Sequence, residues 1–208
     1  EVLAVAASEV DAPLDPMLEA RLPSQLKVHR VAALPRLLSR LPGLGTLGLR
    51  AMGAVDREAS RLLSGHRFDL VYFSTTAFEI HALGPRWKRR FGVPFVMDYQ
   101  DAWVSDYYRD NPSVPAPGGR VKYWLASQLH RWMEPRVLRD CAGITSVSPE
   151  YPRHLACRYP DTMADMPVLV QGFPGAPGDF DRLLPVSAGQ GPFDPDDGCT
   201  HWVYVGRG

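Results

Sequence analysis

Phe68-Asp69-Leu70-Val71-Tyr72-Phe73-Ser74-Thr75-Thr76 and Val93-Pro94-Phe95-Val96-Met97-Asp98-Tyr99-Gln100-Asp101-Ala102-Trp103 are two apolar runs that each open into polar side chains. Short, continuous apolar runs of this kind fit strands covered on both faces, as in a parallel sheet. Each is followed by a stretch with helical spacing. Working outward, the same alternation recurs. Strands are expected at about 2–7, 26–32, 69–74, 94–98, 142–147, 167–171 and 201–205. A strand-helix alternation of this length predicts an α/β fold with a parallel sheet flanked by helices.

The helical segments carry their own signals. Residues 50–64 set Met52, Val55, Ala59 and Leu62 on one face. Residues 77–91 follow Thr76 and Glu79 at capping-box spacing. Residues 119–140 place Val121, Trp124, Leu125, Leu129, Trp132 and Met133 on a stripe that predicts a core-facing side, with Pro135 as a kink or break. Ser148-Pro149 reads as N-cap and first turn of a short helix reaching Arg158. Residues 104–118 read as a long loop, and the Gly- and Pro-rich residues 172–199 as an interdomain linker.

The bulk composition removes several function classes. Lys+Arg and Asp+Glu are equal at 23 each, so nothing global points to nucleic acid. The apolar runs are too short to span a bilayer. Cys141, Cys157 and Cys199 are odd in number and show no CxxC spacing, which fits a reducing, cytoplasmic compartment and small buried side chains. No metal-binding motif, P-loop or G-x-S-x-G is present. His81 is expected as a solvated helix histidine. Residues 20–55 contain no acid but hold Arg21, Lys27, Arg30, Arg36, Arg40 and Arg50 among leucines. Two readings stand for them: a core helix and loop with exposed arginines, or a peripheral contact with anionic lipid at the inner membrane face.

The chemistry is expected where strands end, because ligands of open α/β sheets bind at the carboxyl ends of strands. That singles out Ser74 and Thr75 after the first run. After the second it singles out Asp98, Tyr99 and Asp101, with Trp103, Tyr107 and Tyr108 as rings that could stack on a sugar. Asp98 and Asp101 read as proton acceptor and hydroxyl-binding group, or equally Asp101 caps the next turn and Trp103 belongs to the core. Ser148 ends a third strand, and Gly172 follows a fourth. Gly206-Arg207-Gly208 closes the chain on a turn that could hold a diphosphate, as could any tight turn.

In this order the four segments resemble the family 4 retaining glycosyltransferases of the GT-B fold. The resemblance rests on Asp69 to Thr76, on Gly92, Pro94, Val96, Asp98, Asp101 and Trp103, on Glu134 in the long helix, on Ala142 to Ser148, on Tyr159-Pro160, and on Tyr204, Gly206 and Arg207. It covers about residues 66 to 208. The family's Asn before the turn glycine is here Gln171, and its Gly-rich first loop is missing.

The resemblance implies a Rossmann-like acceptor-side domain over residues 1–171, the linker, and the first strand of a donor-binding domain over 200–208. A chain cut in this way is expected to be inactive alone. It implies transfer with retention from a nucleotide-sugar co-substrate to a glycan or lipid-linked acceptor, with no cofactor and no bound metal. Asp101 would face the reacting sugar. Ser74, Thr75, Asp98, Tyr99, Trp103, Ser148 and Gly172 would bind substrate, and Gly206 and Arg207 the donor diphosphate. A sugar-nucleotide epimerase of the same architecture and a non-catalytic scaffold are the alternatives.

Overall fold

In a computed structural model, residues 1–6, 22–40 and 45–171 are described. The expected strand at 201–205, the linker, Gly172, Gly206, Arg207 and Cys199 lie outside them. Strand β1 (Val2–Val5) pairs in parallel with β2 (Val28–Val31), and a 3-10 turn follows at Arg36–Arg40. Helix α1 (Leu47–Gly65) then leads to β3 (Val71–Phe73). A 3-10 turn (Phe78–Ala82) runs into α2 (Leu83–Phe91), then β4 (Phe95–Tyr99). A short α3 (Tyr107–Asp110) and the long α4 (Arg120–Asp140) precede β5 (Gly143–Ser146). Helices α5 (Glu150–Arg158) and α6 (Pro160–Met163) lead to β6 (Val168–Val170). Strands β3-β4-β5-β6 form a second, four-stranded parallel sheet in that order. The expected α/β architecture of parallel sheets flanked by helices is therefore observed.

The register divides the larger sheet into two faces. Phe73, Met97 and Ile144 lie in one row, with Phe95 beside them, and all are buried. Trp87 of α2 stacks on Phe73, and Phe95 meets the same ring edge-on. The opposite face carries Tyr72, Asp98, Thr145 and Leu169, of which Tyr72 and Leu169 are exposed. Coverage on both faces, expected from the apolar runs, therefore fails at the outer strands. Among the described residues β6 is one of the two edge strands, and all three of its residues are exposed. Helix α2 ends at Gly92, whose φ of 72° and amide bond to the Lys88 carbonyl form a left-handed cap that turns the chain into β4.

Several local expectations are corrected. Thr76 does not cap the segment that follows. Instead the Thr75 hydroxyl accepts from the Ala77 amide, and Glu79 turns inward. Glu79 is 2% exposed. Its carboxylate accepts hydrogen bonds from the Thr46 hydroxyl at 2.8 Å and from His130 of α4 at 3.1 Å. Thr46 is also the N-cap of α1, accepting from the Leu49 amide. Burial pushes the Glu79 carboxyl up, but the hydrogen bonds from His130, its own amide and Thr46 outweigh it and hold it below its ordinary value.

His81 is buried rather than solvated. Its Nδ1–H donates to the Phe78 carbonyl, and its ring packs beside Phe73 and Trp103. Arg50 is buried too, donating to the Leu34 carbonyl at 2.6 Å, so it is not part of a basic surface. Cys157 is exposed, not a buried small residue.

Helix α4 departs furthest from expectation. It runs unbroken through Pro135. Its core-facing residues are Met133, Glu134, Val137 and Leu138, while Val121, Trp124, Leu125 and Trp132 are exposed. The stripe is real, but most of it faces away from the core. The 104–118 segment, read as a loop, contains α3. No helix among the described residues is long and apolar enough to cross a membrane.

Two outcomes follow from this packing. A Cβ on Gly48 would fall 2.2 Å from Oε2 of Glu79, a carboxylate whose other oxygen is pinned by Thr46 and His130. Gly48→Ala should gain about 1 kcal/mol of helix propensity and still lower stability by roughly 1–3 kcal/mol through overpacking. Urea denaturation reads the difference; a variant as stable as the parent would mean that the carboxylate moves freely.

Burial holds His81 down at about 4 from the ordinary 6.5. The unfolded chain therefore binds more protons between those values. Stability complete above pH 6.5 is lost as pH falls toward 4, by about 3 kcal/mol in all at about 1.4 kcal/mol per unit. Denaturation midpoints measured at pH 7 and pH 5 should fall less in His81→Asn than in the parent chain.

Candidate functional site

The carboxyl ends of β3, β4 and β5 share one edge of the sheet, and one carboxylate ties them together. Asp98 of β4 accepts from Ser74 at 3.2 Å on one oxygen and from Thr145 of β5 at 2.7 Å on the other. The Gln100 amide reaches both Asp98 at 2.6 Å and the Ser74 hydroxyl at 2.7 Å. Thr145 gives its one proton to Asp98, so the Tyr72 hydroxyl 2.8 Å away donates to Thr145. Asp98 is buried, with both oxygens engaged. It holds three strand ends in register rather than standing open as a proton acceptor.

Asp101 sits in the next turn. Its carboxylate is exposed, and one oxygen accepts from the Ala102 amide at 2.8 Å. Thr75 and Ser148 have their hydroxyl oxygens occupied by the amides of Ala77 and Glu150. Each hydroxyl keeps its proton for an outside acceptor. Ser148 is not the N-cap that was expected: α5 starts at Glu150 with Pro149 as its N-cap, and Ser148, two residues before the helix, accepts from the Glu150 amide.

A cleft of about 430 Å³ opens beside these turns. Tyr99, Trp103, Asp106, Glu134, Tyr151 and Arg158 are among its walls. Of the residues singled out in the sequence, Tyr99, Trp103 and Tyr107 line it. Ser74, Thr75, Asp98, Asp101 and Ser148 lie on the adjoining strand ends instead. Trp103 is 3% exposed, with its ring held by Phe78 at 5.9 Å, His81 at 5.2 Å and His130 at 6.3 Å. The ring is a core element, not an open sugar platform. Its indole N–H is buried and has no partner. Tyr108 is likewise occupied, packed between Tyr107 and Tyr123.

The floor is charged. Glu134 is 1% exposed and accepts from Tyr159 at 2.9 Å and Tyr99 at 3.4 Å, with Arg158 at 3.6 Å. Burial pushes its carboxyl up despite those partners. Burial also raises both phenols, Tyr99 and Tyr159, next to the Glu134 charge, so they remain protonated donors. Asp106 is pushed up by burial but held low overall by Arg131, Arg109 and Arg158, the last two at 3.0 and 3.4 Å.

Such a cleft offers donors and acceptors in close alternation, the pattern that a polyhydroxylated ligand can satisfy. Asp106, Glu150, Tyr151 and Arg158 carried no signal in the sequence, because the turn before α3 and helix α5, distant in the chain, bring them together. Among the described residues, no cluster of three His, Cys, Asp or Glu side chains is placed to hold a metal ion.

No curated protein matches the chain. Residues 1–163 match the family model described as the glycosyl transferase 4-like domain. That span includes the first 65 residues, where the sequence motifs are weakest. With more than half of its length inside the match, and with a parallel α/β scaffold whose strand ends carry the polar residues, the chain belongs to the glycosyl transferase 4-like family of glycosyltransferases.

Proposed function

We propose that this chain is the acceptor-side domain of a two-domain, GT-B-type glycosyltransferase that moves a sugar from a nucleotide-sugar to a glycan or lipid-linked acceptor with retention. The observation that carries this reading is the shared edge of β3, β4 and β5, where Asp98 fixes the strand ends beside a polar cleft. On this reading Thr75 and Ser148 offer their hydroxyl protons to the acceptor. Asp101 presents its carboxylate to the reacting sugar, and Trp103 and the Glu134 cluster shape the wall. The donor diphosphate falls to a second domain, with Gly206 and Arg207 as its first contacts and no metal required. Positive charge and backbone N–H groups then stabilise the leaving group.

One observation favours a second reading. His154 stands at the same cleft as Glu134 and Glu150, and acids with a histidine suit a sugar-nucleotide epimerase of the same architecture. His81 and His130 do not add to that case, since both are committed to the core. Product analysis by NMR separates the two, because an epimerase converts a nucleotide-sugar with no acceptor present.

Two aspartates three residues apart should respond differently to amidation in the complete enzyme. Asp101→Asn should lower turnover by about 100-fold or more, the scale of lost acid–base or charge assistance, with the melting temperature nearly unchanged. Asp98→Asn should lower the melting temperature, since an amide nitrogen cannot accept the bonds that one of its oxygens now takes. Full turnover in Asp101→Asn would reduce that residue to a loop cap. For the chain by itself, calorimetry should show weak or no nucleotide-sugar binding; tight binding would move the donor site into this domain.

A further inference from the structure

We propose that the outward face of α4 is a docking surface for an anionic membrane. Val121, Trp124, Leu125, Trp132, Arg136 and Arg139 are all exposed. At about 100° per residue they share an arc of roughly 120°, and from Val121 to Arg139 they extend about 27 Å along the helix. Val121 is 74% exposed, Trp124 59% and Trp132 57%, so this is not a core stripe with leaking edges. The buried stripe of the same helix, Met133, Val137 and Leu138, points the other way.

A helix with two apolar faces needs two apolar surroundings. The core is one of them. The charge pattern identifies the other. Residues 111–133 contain no Asp or Glu, and Glu134 is sealed in the core. Arg136 and Arg139 end the face, and the Arg136 guanidinium lies 4.2 Å from the centre of the Trp132 ring. Lys122 flanks the face and reaches Gly45, within the other acid-free run, residues 20–55. Leu34 and Leu37 of that run are exposed as well. Tryptophan, branched aliphatics and arginine without acids suit the boundary between headgroups and acyl chains when the headgroups are anionic. A second copy of the chain fits less well, since two such faces would set Arg136 and Arg139 against each other, and the neighbouring acid, Asp140, is already paired with Arg89 of α2 at 3.4 Å. The inference does not depend on the transferase reading.

Co-sedimentation of the intact chain with vesicles tests it. The vesicles are phosphatidylcholine alone, or phosphatidylcholine with phosphatidylglycerol at roughly 7:3. The chain should pellet with the anionic vesicles at low salt, and less so at about 0.15 M ionic strength, where screening acts within about 8 Å. Trp124→Ser with Trp132→Ser should weaken partitioning by at least about tenfold. Arg136→Glu with Arg139→Glu should weaken it by about 25-fold or more, at about fivefold per basic residue lost. Circular dichroism and the urea midpoint establish that both variants are folded. Absence of pelleting, equal pelleting with neutral vesicles, or pelleting indifferent to both variants overturns the proposal. So does a dimer in gel filtration that Trp124→Ser with Trp132→Ser dissociates, because the face then belongs to a second copy.

Discussion

The carboxylate of Glu79 is the point on which the helical layer turns. It is buried, it meets the first turn of α1 through Thr46 and Gly48, and it reaches α4 through His130. A buried carboxylate with one partner is costly, and with several it becomes a fixed node. Here the partners come from two elements besides its own, α1 and α4. The positive end of the α1 dipole adds to them, since the carboxylate sits where free helix amides begin. The aromatic group around it, Phe78, His81, Trp103 and His130, is ordered by the same node. Trp103 is thereby held at the cleft wall, and its ring is closed to ligand stacking.

At the strand ends a similar rule divides two neighbouring acids. Asp98 is enclosed and saturated by hydroxyl and amide donors, so its charge is already consumed in the fold. Asp101 is exposed and holds a single backbone amide. A carboxylate that is not consumed by the scaffold is the one available for chemistry. Sequence spacing placed both acids after the same buried strand and left their roles interchangeable; burial separates them.

Much of the architecture was legible in the sequence because parallel strands advertise themselves as continuous apolar runs. Every expected strand before residue 172 is present, each slightly shorter than the run that announced it except β4, which keeps its length and is shifted by one residue. What escaped was anything that depends on which side of an element meets which neighbour. The stripe on α4 has helical spacing whether it faces core or solvent. Periodicity reports that a face exists, not what covers it. The Thr76–Glu79 spacing looked like a capping box, yet the acid was drawn away by Thr46, more than thirty residues upstream. The cleft residues Asp106, Glu134, Tyr151 and Arg158 were illegible as a set for the same reason. Asp69 to Thr76 and Asp98 to Trp103 run up to one edge of the sheet, and the family match agrees with the resemblance they carry.

Pro135 gives α4 a seam. With no N–H at that position, the carbonyl of Arg131 loses its helical donor. The seam falls near the place where the helix changes from solvent-facing to core-facing apolar residues. The two halves are thus anchored unequally: Met133 to Leu138 by the packed interior, Arg120 to Gln128 mostly by their own backbone ladder. In hydrogen exchange the helix should behave as two cooperative units, with the first opening at a small fraction of the global unfolding cost. A rod anchored at one end and free to fray at the other can change its local order without disturbing the sheet that carries the strand ends.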